Sequence, residues 1–154
     1  MSANKEKYIL FVCTGNTCRS PMAEAIAKSI FKKNELNIAV YSAGVSAWGG
    51  HGASINAIAA MNEEGLSLDR HSTKPISTQL LSEAALVLTM TQAHLNMVKA
   101  FSPDAKAFTL NEYAQNTPDD ISDPFGGDLS MYKQTAEEIR KLILLSIEKF
   151  QEEL

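Results

Sequence analysis

The chain has 154 residues, a formal net charge of −4, 45% hydrophobic and 21% charged residues, the make-up of one soluble globular domain with a real core. That balance excludes a nucleic-acid binder, because no basic stripe exists to neutralise phosphates, and no apolar run approaches membrane-spanning length. The first seven residues, MSANKEK, are polar and lack the apolar core of a signal peptide, so we expect a cytoplasmic monomer with a flexible tail over 1–7 and one domain over 8–154.

Strands and helices alternate along the chain. Residues 8–12 read as a buried strand that ends at Cys13. Gly15 and Asn16, types that tolerate positive φ, let the chain curl tightly. Ser20 then supplies a capping hydroxyl and Pro21 a first helical position, so a helix is expected over 21–33. Its apolar pairs are Met22/Ala23, Ile26/Ala27 and Ile30/Phe31. A second strand is expected over 38–42 and a helix over 53–64, ended by Gly65. A short helix over 77–83, a third strand over 85–89, a helix over 91–101 and a weaker strand over 105–110 follow. The next stretch, NEYAQNTPDDISDPFGG, is polar and too long for a mere connection, which makes it a candidate functional loop. A final helix over 129–152 carries Ile139, Leu142, Ile143 and Phe150 on one face.

Such alternation predicts a parallel sheet wrapped on both faces, with right-handed crossovers. Ligands of open sheets of this kind bind at the carboxyl ends of the strands. The first such loop, CTGNTCRS, aims backbone N–H groups and a helix N-terminus at one point, which suits an anion. Cys13 and Arg19 frame it. A helix N-terminus and a nearby guanidinium both favour a thiolate nucleophile, and the arginine fork matches two phosphate oxygens. Ser20 can donate a hydrogen bond to the thiolate. The pattern describes a site that grips a phosphoryl group while sulfur attacks phosphorus.

Rival readings explain less. Cys13 as a small buried hydrophobe accounts for the cysteine but not for the Gly-Asn turn, the arginine and the Ser-Pro start. A zinc site could draw on Cys13, Cys18 and His51, His71 or His94, yet the cysteine gap lies at the loose end of zinc spacings and no paired histidine motif follows. A nucleotide phosphate loop needs Gly-Lys-Ser/Thr, which is absent. A structural disulfide across so short a loop would add little. An expelled leaving group needs an acid, and Asp104, Asp119, Asp120, Asp123 and Asp128 are available. Asp123 is preferred, because Pro124 stiffens the backbone behind it, Phe125 can flank a substrate, and Gly126–Gly127 allow close approach.

FVCTGNTCRSPMAE, YSAGVSAW, LDRHSTKPIS and SDPFGG, in this order, resemble the low-molecular-weight protein tyrosine phosphatase family and its bacterial protein arginine phosphatase branch. The resemblance covers residues 8 to about 150 and implies a single-domain α/β three-layer sandwich, a four-stranded parallel sheet with helices on both faces. It implies Cys13 as the nucleophile of a phosphocysteine intermediate, Arg19 and the amides of 14–19 as the phosphate clamp, and Asp123 as general acid and then base. The phosphate-binding loop comprises Thr14, Gly15, Asn16, Thr17, Cys18, Arg19 and Ser20. Asn16, Ser20, Ser42 and His71 become its supporting network, and Cys18 a redox partner that protects Cys13 by reversible disulfide formation. His51 and His94 match no family position and read as surface residues. No metal or cofactor is implied, and the partners are phosphorylated proteins. A related arsenate reductase group needs further cysteines downstream, and this chain has none after Cys18. Thr17 and the single aromatic Phe125 before Gly126 favour phosphoarginine as substrate. Trp48 stands where tyrosine-directed members keep an aromatic wall, so phosphotyrosine with the same mechanism is the alternative. A phosphate-binding module without catalysis is the remaining competitor, and hydrolysis of para-nitrophenyl phosphate without added metal separates the two.

Overall fold

A computed structural model describes residues 6–154. The tail expected over 1–7 lies outside the described residues except for Glu6 and Lys7, both exposed. The strands are β1 (Tyr8–Cys13), β2 (Ala39–Gly44), β3 (Leu86–Thr89) and β4 (Ala107–Thr109). They form one parallel sheet in the order β2-β1-β3-β4. Around it lie α1 (Arg19–Lys33), α2 (Ile55–Glu63), α3 (Thr78–Glu83), α4 (Gln92–Phe101), α5 (Leu110–Gln115), α6 (Leu129–Leu145) and α7 (Ile147–Glu153).

The central strand explains the layering. All six residues of β1 are buried, and their side chains alternate between two cores. Ile9, Phe11 and Cys13 enter the larger core, built with α1, α2, α5, α6 and α7. Tyr8, Leu10 and Val12 enter the smaller one, with Leu81 of α3 and Leu95 and Val98 of α4. The four-stranded sheet with helices on both faces is thus the architecture expected. Because β2 and β3 flank β1 on opposite sides, the crevice outside its carboxyl end is the switch point where such sheets bind ligands. Cys13 opens into that crevice.

Three local expectations need correction. Helix α1 begins at Arg19, its cap residue Cys18 makes no side-chain cap, and Pro21 falls at the third helical position, where its N–H would have been unpaired anyway. The Ser20 hydroxyl is therefore free for other partners. The long polar stretch opens with a helix, α5, whose start is a Thr109-to-Glu112 box: the Thr109 hydroxyl accepts from Glu112 N at 3.1 Å. It ends on Asn116 in the left-handed region, φ 56°. The final helix is two helices. Ser146 is fully buried, its Oγ donates to Leu142 O at 2.8 Å and its N–H to Ile143 O at 3.0 Å. The break redirects α7 so that Phe150 packs against Phe31 and Tyr113, with ring centroids 5.4 and 5.5 Å away.

Candidate active site

The phosphate-binding loop runs from the end of β1 into α1. Asn16 alone in it takes a left-handed φ, 59°; Gly15 does not. Asn16 is also its most tethered residue. Its Nδ2 donates to Ser20 Oγ at 2.8 Å and to Ser42 Oγ at 3.0 Å. Its Oδ1 accepts from Lys74 N at 3.0 Å, and its carbonyl from His71 Nε2 at 2.7 Å. Ser42, at the end of β2, donates in turn to Glu24 of α1 at 2.6 Å. With Asn16 and Ser42 fully buried, these bonds fix an otherwise unfavourable backbone turn. The β2 end must come very close. A Cβ on Gly44 would stand 2.4 Å from Thr14 O and 2.9 Å from Asn16 N, so only glycine fits there.

Cys13 Sγ lies 2.9 Å from Ser20 Oγ, the hydroxyl that α1 does not use as a cap. Ser20 accepts from Asn16 Nδ2, and its own proton has two acceptors in reach, the sulfur at 2.9 Å and Ala43 O at 3.5 Å, of which the sulfur is the nearer. Both cysteines are buried and free. Cys18 Sγ sits 3.3 Å from Tyr132 OH of α6 and 3.5 Å from Ser54 Oγ. Tyr132, Ser54 and Cys18 thus form a contact between the loop, α6 and the start of α2. Burial, then the Cys18 contact, pushes the Tyr132 phenol upward. The carbonyl of Thr17 accepts from Ser54 N at 2.9 Å, and the Thr17 hydroxyl lies 3.5 Å from Cys18 Sγ.

Arg19 is 4% exposed. Its Nη1 donates to Ile121 O at 2.8 Å and its Nη2 stands 3.5 Å from Asp123 Oδ2. The other acidic candidates are engaged elsewhere or remote. Asp120 Oδ1 accepts from Gln92 N at 2.8 Å, at the start of α4, Asp128 caps α6 through Met131 N at 3.0 Å, and Asp119 is exposed. Asp104 precedes β4, two strands from β1, and so lies toward the amino ends of the parallel strands whereas Cys13 is at a carboxyl end. Asp123 Oδ1 accepts from Phe125 N at 3.0 Å, which sets its second oxygen toward Arg19. Phe125 and Trp48 project outward, 76% and 80% exposed, and Gly126 behind Phe125 has φ 82° and no neighbour where a Cβ would be.

The histidines separate. His51 is exposed, and His71 holds the Asn16 carbonyl. His94 is not a surface residue: it is 5% exposed, and its Nε2 lies 2.8 Å from Thr14 Oγ1 in the loop. The sequence did carry a signal, since His94, Leu95 and Val98 share the buried face of α4 at helical spacing. Burial first, then the Arg19 charge, pushes the His94 imidazole down to about 4, with Asp120 and Asp123 opposing. A folded value below the ordinary 6.5 means that the unfolded chain binds more protons between the two. Stability from this group is therefore full above pH 6.5 and lost as pH falls toward 4. The melting temperature of the wild type should drop more between pH 6.5 and pH 4 than that of His94→Gln; parallel curves would show another group to be responsible.

A strand-end cysteine, a tightly tethered loop leading into a helix, a buried arginine and a nearby carboxylate define a phosphate-handling centre. The chain belongs to the low molecular weight phosphotyrosine protein phosphatase family, whose model matches residues 8–154. It is accordingly a phosphatase, a hydrolase. Among its relatives, the protein-arginine-phosphatase of Bacillus subtilis strain 168 is 44% identical over 137 residues, 88% of this chain and 91% of that one. The low molecular weight protein-tyrosine-phosphatase PtpB of Staphylococcus aureus is 38% identical over 141 residues, 88% and 94% of the two chains. Among solved structures, a cysteine-to-serine mutant of YwlE arginine phosphatase with a phosphorylated active-site serine is 41% identical with a TM-score of 0.90, over 93% of this chain and 95% of that one. Among the described residues no helix is long and apolar enough to cross a membrane.

Proposed function

We propose that this phosphatase hydrolyses phosphoarginine on proteins, through a phosphocysteine on Cys13. The observation that carries the substrate reading is the mouth of the site: Thr17 at the loop, and one aromatic residue, Phe125, followed by the open Gly126. A threonine hydroxyl can accept from the N–H groups of a guanidinium, and its small volume leaves room for one. The likeness to the B. subtilis protein-arginine-phosphatase supports the same substrate.

In the first step the Cys13 thiolate attacks phosphorus, the bond from phosphorus to the leaving nitrogen breaks, and Asp123 gives that nitrogen its proton. Arg19 and the amides of 14–19 hold the phosphoryl oxygens, whose charge spreads in the transition state. In the second step water attacks phosphorus, Asp123 takes its proton, and the thiolate leaves with Ser20 donating to it. Asn16, Ser42 and His71 keep the loop in shape between steps. Cys18 is the partner that would cover an oxidised Cys13 as a disulfide. Every step uses side chains of this chain, without cofactor or metal. The setting we infer is a cytoplasmic monomer acting on phosphorylated proteins, since a net charge of −4 favours neither nucleic acid nor anionic membranes.

Phosphotyrosine is the second reading, favoured by the outward indole of Trp48, which offers an aromatic ring a wall. The two part in one comparison. On the arginine reading, kcat/KM for a phosphoarginine peptide exceeds that for the matching phosphotyrosine peptide, and Thr17→Ile reverses the order. Pocket changes of one or two methyl groups shift such ratios by about 10–200-fold. A wild type that prefers phosphotyrosine, or a ratio untouched by Thr17→Ile, leaves the tyrosine reading standing.

A further inference from the structure

His94 lies outside every role assigned above, yet it touches the loop beside the nucleophile. Two segments, the loop and the stretch before Asp123, meet at its turn of α4. Thr14, the residue after Cys13, holds its Nε2 at 2.8 Å. Its own N–H is tied to Thr91 Oγ1 at 3.1 Å, in the first turn of α4. Asp120, from the segment that carries Asp123, accepts from Gln92 N in the same turn. The imidazole is thus anchored on one side and reaches the loop on the other. Its Nδ1 is buried without a partner among the described residues. An orphaned N–H is rarer in buried positions than an orphaned acceptor, which favours the tautomer with the proton on Nε2, donating to Thr14 Oγ1. The charged groups around it are Arg19, Asp120 and Asp123.

We propose that His94 is a positioning residue of this phosphatase: Val45 N and Ser46 N hold the Cys13 and Thr14 carbonyls at 2.9 Å each, and His94 adds a side-chain tether at Thr14, so that the start of the phosphate loop is set on both of its faces before an anion arrives. The opposite side of the loop is held by Asn16 through Ser42, His71 and Lys74, and its start by Gly44 and Ser46, whose N–H donates to Thr14 O at 2.9 Å. The Thr14 side chain has no partner other than His94 among the described residues. Removing the imidazole frees that side chain. A cation at this position would also place a second positive charge beside Arg19, and burial together with Arg19 keeps the imidazole neutral.

The proposal rests on the phosphate-loop reading above and is tested with inorganic phosphate as competitive inhibitor of para-nitrophenyl phosphate hydrolysis. Loss of one neutral hydrogen bond corresponds to about fivefold in affinity. His94→Ala should raise both the phosphate Ki and KM by about that factor, with kcat changed less. Thr14→Val should do the same, and the double variant should be no worse than either single one. His94→Gln, whose amide can reach Thr14, should recover part of the loss. Melting temperatures separate a lost fold from a displaced loop, and Thr14→Val with His94→Gln decides the matter if His94→Ala does not fold. An unchanged Ki in Thr14→Val, or losses that multiply in the double variant, overturns the proposal. Wild-type turnover that inorganic phosphate does not inhibit would instead overturn the phosphate-loop reading itself.

Discussion

Cys13→Ser should abolish hydrolysis of every substrate, by about 10⁴-fold or more, as loss of a covalent nucleophile typically does. Phosphate should still bind, because Arg19, the loop amides and the Asn16 tethers do not depend on sulfur. The substitution is nearly isosteric in a site where Ser20 Oγ already stands 2.9 Å away, so folding should be unaffected. A hydroxyl here is a far weaker nucleophile and a poorer leaving group than a thiolate. A phosphoryl group that reaches it should therefore stay. Steady-state turnover gives the first result, and mass spectrometry of the protein after incubation with substrate gives the second. Activity within a few-fold of wild type would end the covalent mechanism.

The second large effect belongs to Asp123. General acid catalysis contributes about 10²–10⁴-fold, so Asp123→Asn should lower kcat within that range for a substrate whose leaving group must be protonated. The loss should shrink for para-nitrophenyl phosphate, whose leaving group departs without a proton. Asp120→Asn is the control. That carboxylate accepts from Gln92 N at the start of α4, so its replacement should lower the melting temperature more than kcat. If Asp119 or Asp120 variants lose more turnover than Asp123→Asn, the acid has been assigned to the wrong residue.

The sheet and the phosphate-binding loop were legible because their signals are local. An apolar run ending in cysteine, a residue able to take positive φ and a proline near a helix start each constrain the backbone by themselves. Of the two turn residues, only Asn16 uses the left-handed region; Gly15 spares the loop a side chain instead. Ser20 was misjudged as a cap because capping is a statement about the helix alone, and here a neighbouring sulfur and the Asn16 amide compete for the hydroxyl. Helix α5 hid inside a polar stretch although Thr109 and Glu112 spell its start. The break at Ser146 depends on what lies beneath α7, the Phe31 and Tyr113 rings, and no pattern along the chain reports that. The burial of His94 could be read from its helical spacing with Leu95 and Val98, but its partner Thr14 is 80 positions away, and no pattern along the chain reports that contact.

The segment that carries Asp123 is fastened at its root from three directions. Ile121 N donates to Met90 O at 2.9 Å, Ile121 O accepts from Arg19, and Asp120 holds α4. That root cannot lift without giving up all three bonds, and beyond Asp123 the segment is held again where Asn56 Nδ2 donates to Gly127 O at 3.3 Å. Enzymes with a closing cover can let the correct substrate drive the closure and refuse others by failing to close. A site with a fixed rim has no such checkpoint. On the proposed substrate reading, discrimination then rests on the outline of the mouth, and Thr17→Ile alone should shift it from one phosphorylated side chain to another with no change in motion.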